Sequence, residues 1–154
     1  MAITNIGAHI HYMKKSIALG EEAMQNGDAR VGSILVQDNT IIGIGREAVK
    51  SGNDITKHAE IEAIRDALKH HQSIKDPILY TTHEPCIMCS YVIRHYQIKT
   101  LVFGVKSKYV GGSSSEFKIL ESEKVPSWKD TPEIIEGVLK NECIRLSNAY
   151  QNKT

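Results

Sequence analysis

The sequence predicts an α/β domain in which helices are layered on a mixed β-sheet. Segments with helical periodicity alternate along the chain with short β-rich segments, which is the pattern of α/β layers. Two consecutive β-rich segments are joined by a tight turn, so an antiparallel hairpin accompanies the alternating order. The length of 154 residues suits one domain with a single core.

The first half of the chain contains two predicted helices and the hairpin. Apolar residues recur at helical spacing in both helices, Gly27-Asp28 ends the first one, and Asp38-Asn39 forms the hairpin turn. In chain order we predict a helix over Ile6–Met24, strands over Val31–Val36 and Ile41–Ile44, a loop over Glu47–Lys57 and a helix over His58–His70.

The second half continues the alternation and is less clear towards its end. Pro85 begins a helix, because proline is tolerated in the first turn. We predict a strand over Ile78–Thr82, a helix from Pro85 to Tyr96, a strand over Lys99–Val105, a loop over Gly111–Ser115 and a final helix over Ile134–Ala149. The segment Phe117–Val125 fits either a strand or a helix, and the strand order after Val105 is left open.

Composition restricts the class of protein. No apolar run approaches the roughly 20 residues of a membrane span, and the first 15 residues lack a basic region followed by an apolar stretch, so we expect a cytoplasmic protein. Three cysteines do not make a disulfide framework, and the close pair Cys86 and Cys89 indicates metal or redox chemistry. The net charge of +1 mildly favours a small substrate over a long nucleic acid, although a local basic patch fits the same balance.

Two motifs carry the chemistry, and both stand at the start of a predicted helix: His58-Ala59-Glu60 and Pro85-Cys86-Ile87-Met88-Cys89. The C-x-x-C spacing lets both thiolates face one point, and a histidine at the start of a neighbouring helix can supply a third ligand. Three protein ligands leave one tetrahedral position for water, which is the arrangement of a catalytic zinc. Glu60 can then accept a proton from that water and return it to the substrate.

Other interpretations of these residues exist. A C-x-x-C pair is also typical of a redox dithiol, in which case His58 is an ordinary surface histidine. A structural zinc site requires a fourth protein ligand, for which His83 and His95 are the nearest candidates. The joint occurrence of H-x-E and P-C-x-x-C is more specific than either motif alone, and it matches the signature of the zinc nucleobase deaminases.

With these motifs the chain resembles the cytidine and deoxycytidylate deaminase superfamily, in the branch of tRNA adenosine deaminase, guanine deaminase and fungal cytosine deaminase. The similar segments are Val31–Val36, His58–Arg65, Leu79–Cys89, Val102–Gly104 and Ile135–Cys143. The resemblance implies a three-layer α/β/α sandwich with a central mixed five-stranded sheet, formed by residues 1–154 as a single zinc-dependent deaminase domain. It also implies one Zn²⁺ per subunit, a homodimer, and backbone contacts to the substrate around Ala59 and Pro85.

The choice of substrate depends on positions outside the zinc motifs. Many relatives carry asparagine 11 residues before the histidine ligand, where this chain has Glu47, a carboxylate that offers only acceptors. The tRNA enzymes typically place an aspartate after VFG, where this chain has Ser107. We therefore expect a small aminated heterocycle, a free nucleobase or nucleoside of the guanine or cytosine type. The alternatives are a tRNA-specific adenosine deaminase, which these two positions disfavour, and a noncatalytic zinc-stabilised interaction protein.

Three further features are candidates for substrate contact. His83 ends a strand directly before the zinc loop, so its side chain is a candidate for the pocket wall. The loop 107–117, with Tyr109 and Phe117, is either a substrate flap or a solvated loop. Trp128, the only tryptophan, either stacks on a base or packs at a dimer interface.

Overall fold

The structure is a computed structural model that describes residues 5–151, with side chains up to residue 148. Residues 1–4 and 152–154, the two ends of the predicted domain, lie outside the described part. The elements are α1 (Ile6–Gln25), β1 (Gly32–Gln37), β2 (Thr40–Arg46), α2 (Ala59–His70), β3 (Ile78–His83), α3 (Ile87–His95), β4 (Thr100–Val105), β5 (Glu133–Glu136) and α4 (Lys140–Gln151). Within the described residues, no helix is both long and apolar enough to cross a membrane.

The strands form one sheet in the order β2-β1-β3-β4-β5. β1 pairs antiparallel with both β2 and β3, whereas β3–β4 and β4–β5 are parallel. The predicted central, mixed five-stranded sheet is therefore confirmed. After β3 ends at His83, the chain passes through Glu84 to Pro85 and the segment with Cys86 and Cys89. This segment therefore lies at the carboxyl end of the parallel strands.

Side chains that alternate along the strands fill two cores, one on each face of the sheet. The core under α2 and α3 includes Leu35, Ala63, Ile64, Leu79, Ile93 and Phe103. The core under α1 and α4 includes Met13, Ile34, Tyr80, Val102 and Cys143. Helices on both faces make the predicted three-layer α/β/α sandwich.

The last predicted helix is wrong in its first part. Instead of a helix from Ile134, the chain forms β5, which runs parallel to β4 with Leu101 opposite Ile134. Ile134 packs on the core of α2 and α3, and Ile135 packs on the core of α1 and α4, so consecutive isoleucines serve opposite faces as in a strand. Gly137 then turns the chain at φ 79°, and α4 begins only at Lys140. The undecided segment Phe117–Val125 contains only a 3₁₀ turn, at Ile119–Glu121.

Two glycines of β2 let α2 lie directly on the sheet. A Cβ atom on Gly43 would stand 2.2 Å from the Ala63 carbonyl oxygen, and one on Gly45 would stand 2.1 Å from that of Ala59. Any side chain at either position would lift α2 off the strand. The close approach fixes where the first turn of α2 lies, and with it the His58-Ala59-Glu60 motif.

Candidate active site

The two motifs lie close together at the N-termini of α2 and α3. His58 is the N-cap residue of α2, Cys86 is the N-cap residue of α3, and neither side chain caps its own helix. His58 Nδ1 lies 3.5 Å from the sulfur of Cys86 and 3.5 Å from that of Cys89. Bond lengths to tetrahedral zinc place nitrogen and sulfur ligands about 3.6 Å apart, so the three side chains fit this ion.

The cluster contains three potential ligands. Within residues 5–151, His58, Cys86 and Cys89 are the group of metal-binding side chains whose ligand atoms all lie within 4.8 Å of one another. His83 and His95, the candidates for a fourth protein ligand, are not part of it. Three protein ligands leave one position of a tetrahedral zinc ion for water, as in a catalytic site. The noncatalytic alternative requires a fourth protein ligand at that position.

Charge is shared unequally among the ligands. Hydrogen bonding with Cys89 and, after it, with His58 lowers the pKa of the Cys86 thiol to about 4. The hydrogen bond to Cys86 in turn raises the pKa of His58 to about 9. Cys86 is thus held as the thiolate, the form of cysteine that binds zinc.

Glu60 is buried beside this cluster, with 4% of its surface exposed. Its Oε1 atom accepts a hydrogen bond from Thr81 Oγ1 at 3.0 Å, and its Oε2 atom lies 3.5 Å from the Cys89 sulfur. Burial raises the pKa of the Glu60 carboxyl. A carboxyl group with a raised pKa accepts a proton more readily than an exposed glutamate, which suits general acid–base chemistry.

Glu47 follows β2 and lies on the same side of the protein as the ligand cluster. It is buried, and burial raises the pKa of its carboxyl to about 7, with His58 opposing and Glu60 and Asp28 adding to the shift. Asp28 itself holds the loop that follows Glu47, since it accepts hydrogen bonds from the backbone of Lys50 and Ser51. From the sequence, Glu47 could face either the site or the solvent. In the structure its carboxyl is close enough to His58 and Glu60 for their charges to affect its pKa.

Glu84 is an important residue that the sequence interpretation missed. Only 2% of it is exposed, and its carboxylate accepts hydrogen bonds from the backbone of Ser107 at 3.1 Å, Ser113 at 2.8 Å and Ser114 at 2.7 Å, and from the Ser114 hydroxyl. The available signal was a charged residue between a buried strand and the Pro85-Cys86 motif. Glu84 therefore binds the loop after β4 to the cysteine segment.

The same loop touches the cysteine segment through its backbone. Gly111 forms a β-bridge with Cys86, and the Gly112 amide donates to the Pro85 carbonyl oxygen at 2.9 Å. A Cβ atom on Gly112 would lie 2.0 Å from Ser90 Oγ, so glycine is required for this close contact. The loop 106–118 is thereby held at the rim of the candidate site.

The other predicted contact residues are engaged within the protein. Ser107 donates its hydroxyl to the Glu84 carbonyl oxygen at 2.8 Å, and Ala59 is fully buried. Burial lowers the pKa of His83 to about 4, and its Nδ1 atom lies 3.1 Å from Thr82 Oγ1. Trp128 is 8% exposed and packs under the Arg94 guanidinium at 4.9 Å. Substrate contacts of Ser107, Ala59, Pro85 and His83 stay predictions.

Comparison with known proteins identifies the family. Residues 7–105 match the family model of the cytidine and deoxycytidylate deaminase zinc-binding region. Because the match covers more than half of the chain, the chain belongs to this family, as its motifs predicted. It is accordingly an enzyme of the hydrolytic deaminase class, with a zinc-binding domain.

Individual relatives have names that state a substrate as well as a reaction. The chain is 37% identical to the tRNA-specific adenosine deaminase of Buchnera aphidicola over 150 residues, which cover 93% of this chain and 94% of the relative. It is also 37% identical to the tRNA-specific adenosine deaminase of Haemophilus influenzae, covering 92% of this chain and 82% of the relative. A solved structure from a study of A-to-I editing by tRNA:A34 deaminases superposes with a TM-score of 0.80 at 26% identity, covering 88% of this chain and 98% of the other.

These relatives correct the substrate prediction. The expected free nucleobase, nucleoside or related small heterocycle is wrong, because the nearly full-length relatives at 37% identity are named tRNA-specific adenosine deaminases, and a role in nucleobase metabolism loses support with it. The prediction gave weight to Ser107, but its amide and its hydroxyl both donate to Glu84 and its carbonyl oxygen accepts from the Gly111 amide, so Ser107 stabilises the loop. The alternative of a tRNA deaminase fits better.

Proposed function

We propose that residues 1–154 form a single zinc-dependent deaminase domain that converts adenosine to inosine in transfer RNA. The observation that carries this proposal is the 37% identity to tRNA-specific adenosine deaminases over nearly the whole chain. The geometry of His58, Cys86, Cys89 and Glu60 supports the chemistry. A homodimer is part of the proposal, supported by the exposed aromatic residues Tyr91 and Tyr96 on and after α3.

Four residues perform the reaction in this proposal. His58 Nδ1 and the sulfurs of Cys86 and Cys89 hold one zinc ion per subunit, and zinc, when bound, lowers the pKa of a water ligand to roughly 7. Glu60, whose Oε2 lies 3.5 Å from the Cys89 sulfur, would accept one proton from the attacking water and deliver it to the ring nitrogen beside the aminated carbon, while the water oxygen bonds to that carbon. It would then move the second proton, from the added hydroxyl, to the amino group, and the carbon–nitrogen bond would break to release ammonia.

The loop 106–118 supports a nucleic-acid substrate. It begins beside the site and exposes three lysines, Lys106, Lys108 and Lys118, together with Tyr109 and Phe117, which are 75% and 44% exposed. Lysine side chains bind phosphates, and exposed aromatic rings stack on unpaired bases. Lys106 is paired with Glu136 at 3.6 Å and Lys118 donates to the Ser113 carbonyl oxygen at 2.9 Å, so Lys108, beside the Tyr109 ring, is the lysine of this loop that supports contact with a phosphate most directly.

Glu47 is proposed to contact the substrate as an acceptor. Its carboxyl is buried near His58 and Glu60, and a carboxylate accepts hydrogen bonds from hydroxyl or amino groups. The hydroxyl groups of the ribose are such donors in an RNA nucleotide, and they distinguish RNA from DNA.

An ammonia-release assay tests the proposed function. The zinc-loaded protein is offered an anticodon stem-loop with adenosine at the wobble position, a matched stem-loop with guanosine there, and free adenosine, adenine, guanine and cytosine. We expect release from the adenosine stem-loop alone, loss of release after removal of zinc by a chelator, and recovery when zinc is added back. Release from a free base with none from the stem-loop would contradict the proposal.

A further inference from the structure

Two hydroxyl side chains interrupt the apolar core beneath the first turn of α2. Ser33 on β1 and Thr81 on β3 are both completely buried, and they are direct partners across the antiparallel pair. The next pair on the same face is Leu35 and Leu79, which is purely apolar. Burying a hydroxyl costs free energy unless it is hydrogen-bonded, so the pair needs a further hydrogen-bond acceptor.

That partner is Glu60. Ser33 Oγ donates to Thr81 Oγ1 at 2.8 Å, and Thr81 Oγ1 donates to Glu60 Oε1 at 3.0 Å. A threonine hydroxyl has one proton, and an ionised carboxylate can only accept, so the proton of Thr81 points to Glu60 and its lone pair receives the proton of Ser33. The three groups form a chain of hydrogen bonds with a single direction, from the sheet to the carboxylate.

We propose that Ser33 and Thr81 are positioning residues that orient Glu60 for proton transfer. This inference rests on the proposed function, in which Glu60 moves the protons. The chain fixes Oε1 to the sheet, and Oε2 is left 3.5 Å from the Cys89 sulfur, on the side of the ligand cluster. A carboxyl held by one oxygen cannot rotate away from the reacting atoms, and charge-assisted hydrogen bonds are the stronger kind. Catalytic groups need such support to stay in a productive orientation.

Kinetics of four variants test the inference with the adenosine stem-loop as substrate. Thr81→Val keeps the shape and removes the hydroxyl, and we expect kcat to fall about tenfold, the lower end for a lost hydrogen bond to a charged group, with KM unchanged. Thr81→Ser restores the hydroxyl and should keep kcat within about twofold of wild type. Ser33→Ala should lower kcat about threefold in the wild type and not at all in the Thr81→Val background, since Ser33 acts through Thr81.

A matched control lies one residue away. Thr82 is also completely buried in β3, but its hydroxyl lies on the other face of the sheet, where it accepts from the Gly32 amide at 3.4 Å and lies 3.1 Å from His83 Nδ1. Thr82→Val should therefore keep kcat within about twofold. A Thr81→Val kcat equal to that of Thr82→Val, or a Ser33→Ala effect that is the same in both backgrounds, would overturn the inference.

Crystal structures supply a readout that does not depend on activity. In zinc-loaded Thr81→Val the Glu60 carboxyl should leave its wild-type orientation or occupy more than one, whereas Thr81→Ser should keep the wild-type orientation. An unchanged, singly oriented Glu60 in Thr81→Val would overturn the positioning role. If the wild type releases no ammonia from any stem-loop, the proposed function fails, and this comparison still decides whether the hydroxyl pair orients Glu60.

Discussion

At the scale of single residues, Glu84 acts on the site through the backbone of a loop. Its buried carboxylate accepts hydrogen bonds from three amides, those of Ser107, Ser113 and Ser114. Glu84→Gln would direct an NH₂ group at some of these donors, so we expect a loss of about 2 kcal/mol in the free energy of unfolding, measured by urea denaturation. Glu116→Gln, an exposed substitution in the same loop, is the control and should change the free energy by less than about 0.5 kcal/mol. Equal effects of the two substitutions would show that Glu84 does not hold the loop.

His83 makes the stability of the fold depend on pH. Burial lowers its pKa from 6.5 to about 4, so between these values the unfolded chain binds a proton that the folded protein does not. The stabilising contribution is present above pH 6.5 and is lost as the pH falls towards 4, up to about 3 kcal/mol. We expect His83→Leu to lose less stability than wild type between pH 7 and pH 5 in urea titrations. The exposed His70→Leu should follow the wild type, and parallel curves for all three proteins would refute this assignment.

Single residues also show what the sequence could predict about the site. The grouping of His58, Glu60, Cys86 and Cys89 was predictable from their spacing and from their positions at helix starts. These residues come together in any fold that places the N-termini of the two helices side by side. Thr81 was not predicted, because a threonine in a β-rich run is also typical of a packing residue. Its role depends on which face of β3 it occupies, and only the sheet register decides that.

At the scale of elements, the contact between β2 and α2 determines where the site lies. A Cβ atom on Gly45 would overlap the Ala59 carbonyl oxygen at 2.1 Å, so Gly45→Ala must push the start of α2 away from the sheet. We expect a loss of about 2–3 kcal/mol in urea denaturation, as for other overpacked sites, together with weaker zinc binding in a chelator competition. Ile44→Ala, on the opposite and half-exposed face of the same strand, should leave zinc binding unchanged. Wild-type zinc affinity in Gly45→Ala would contradict this role of the contact.

The elements near the carboxyl end were the hardest to predict. The stretch from Ile134 to Leu146 has apolar residues at helical spacing, but Gly137 and Leu139 adopt positive φ values of 79° and 51° and break it into a strand and a helix. A four-residue strand that pairs with β4 gains its stability from that pairing and from the partial burial of Ile134 and Ile135 on opposite faces. The spacing of apolar residues in the segment does not show either contribution, because both depend on contacts with the rest of the fold. The hairpin and the first helix were predicted correctly because Asp38-Asn39 and Gly27-Asp28 mark their ends, and α2 was predicted correctly from its apolar face.

At the scale of the whole molecule, charge is balanced overall and concentrated locally. Lys108, whose ammonium group lies 5.2 Å from the centre of the Tyr109 ring, is part of the loop 106–118 at the carboxyl end of β4. Lys99 lies at the opposite end of the same strand and is 57% exposed. We expect Lys108→Glu to raise KM for the stem-loop several-fold, with kcat unchanged, and to reduce the slope of log KM against log salt by about one. Lys99→Glu should leave both values unchanged, and equal effects would exclude a specific role for the loop.

The proposed deamination of adenosine in transfer RNA is tested most directly by sequencing. Total tRNA is incubated with the zinc-loaded protein and then reverse-transcribed, so that inosine is recorded as guanosine. We expect adenosine at the wobble position of the anticodon to change to guanosine with the wild type and to remain adenosine with Glu60→Gln, a variant that should retain its zinc. General acid–base catalysis is worth roughly 10²–10⁴-fold, so residual conversion should be below detection on the same time scale. Absence of any change with the wild-type protein, or equal conversion by Glu60→Gln, would contradict the account.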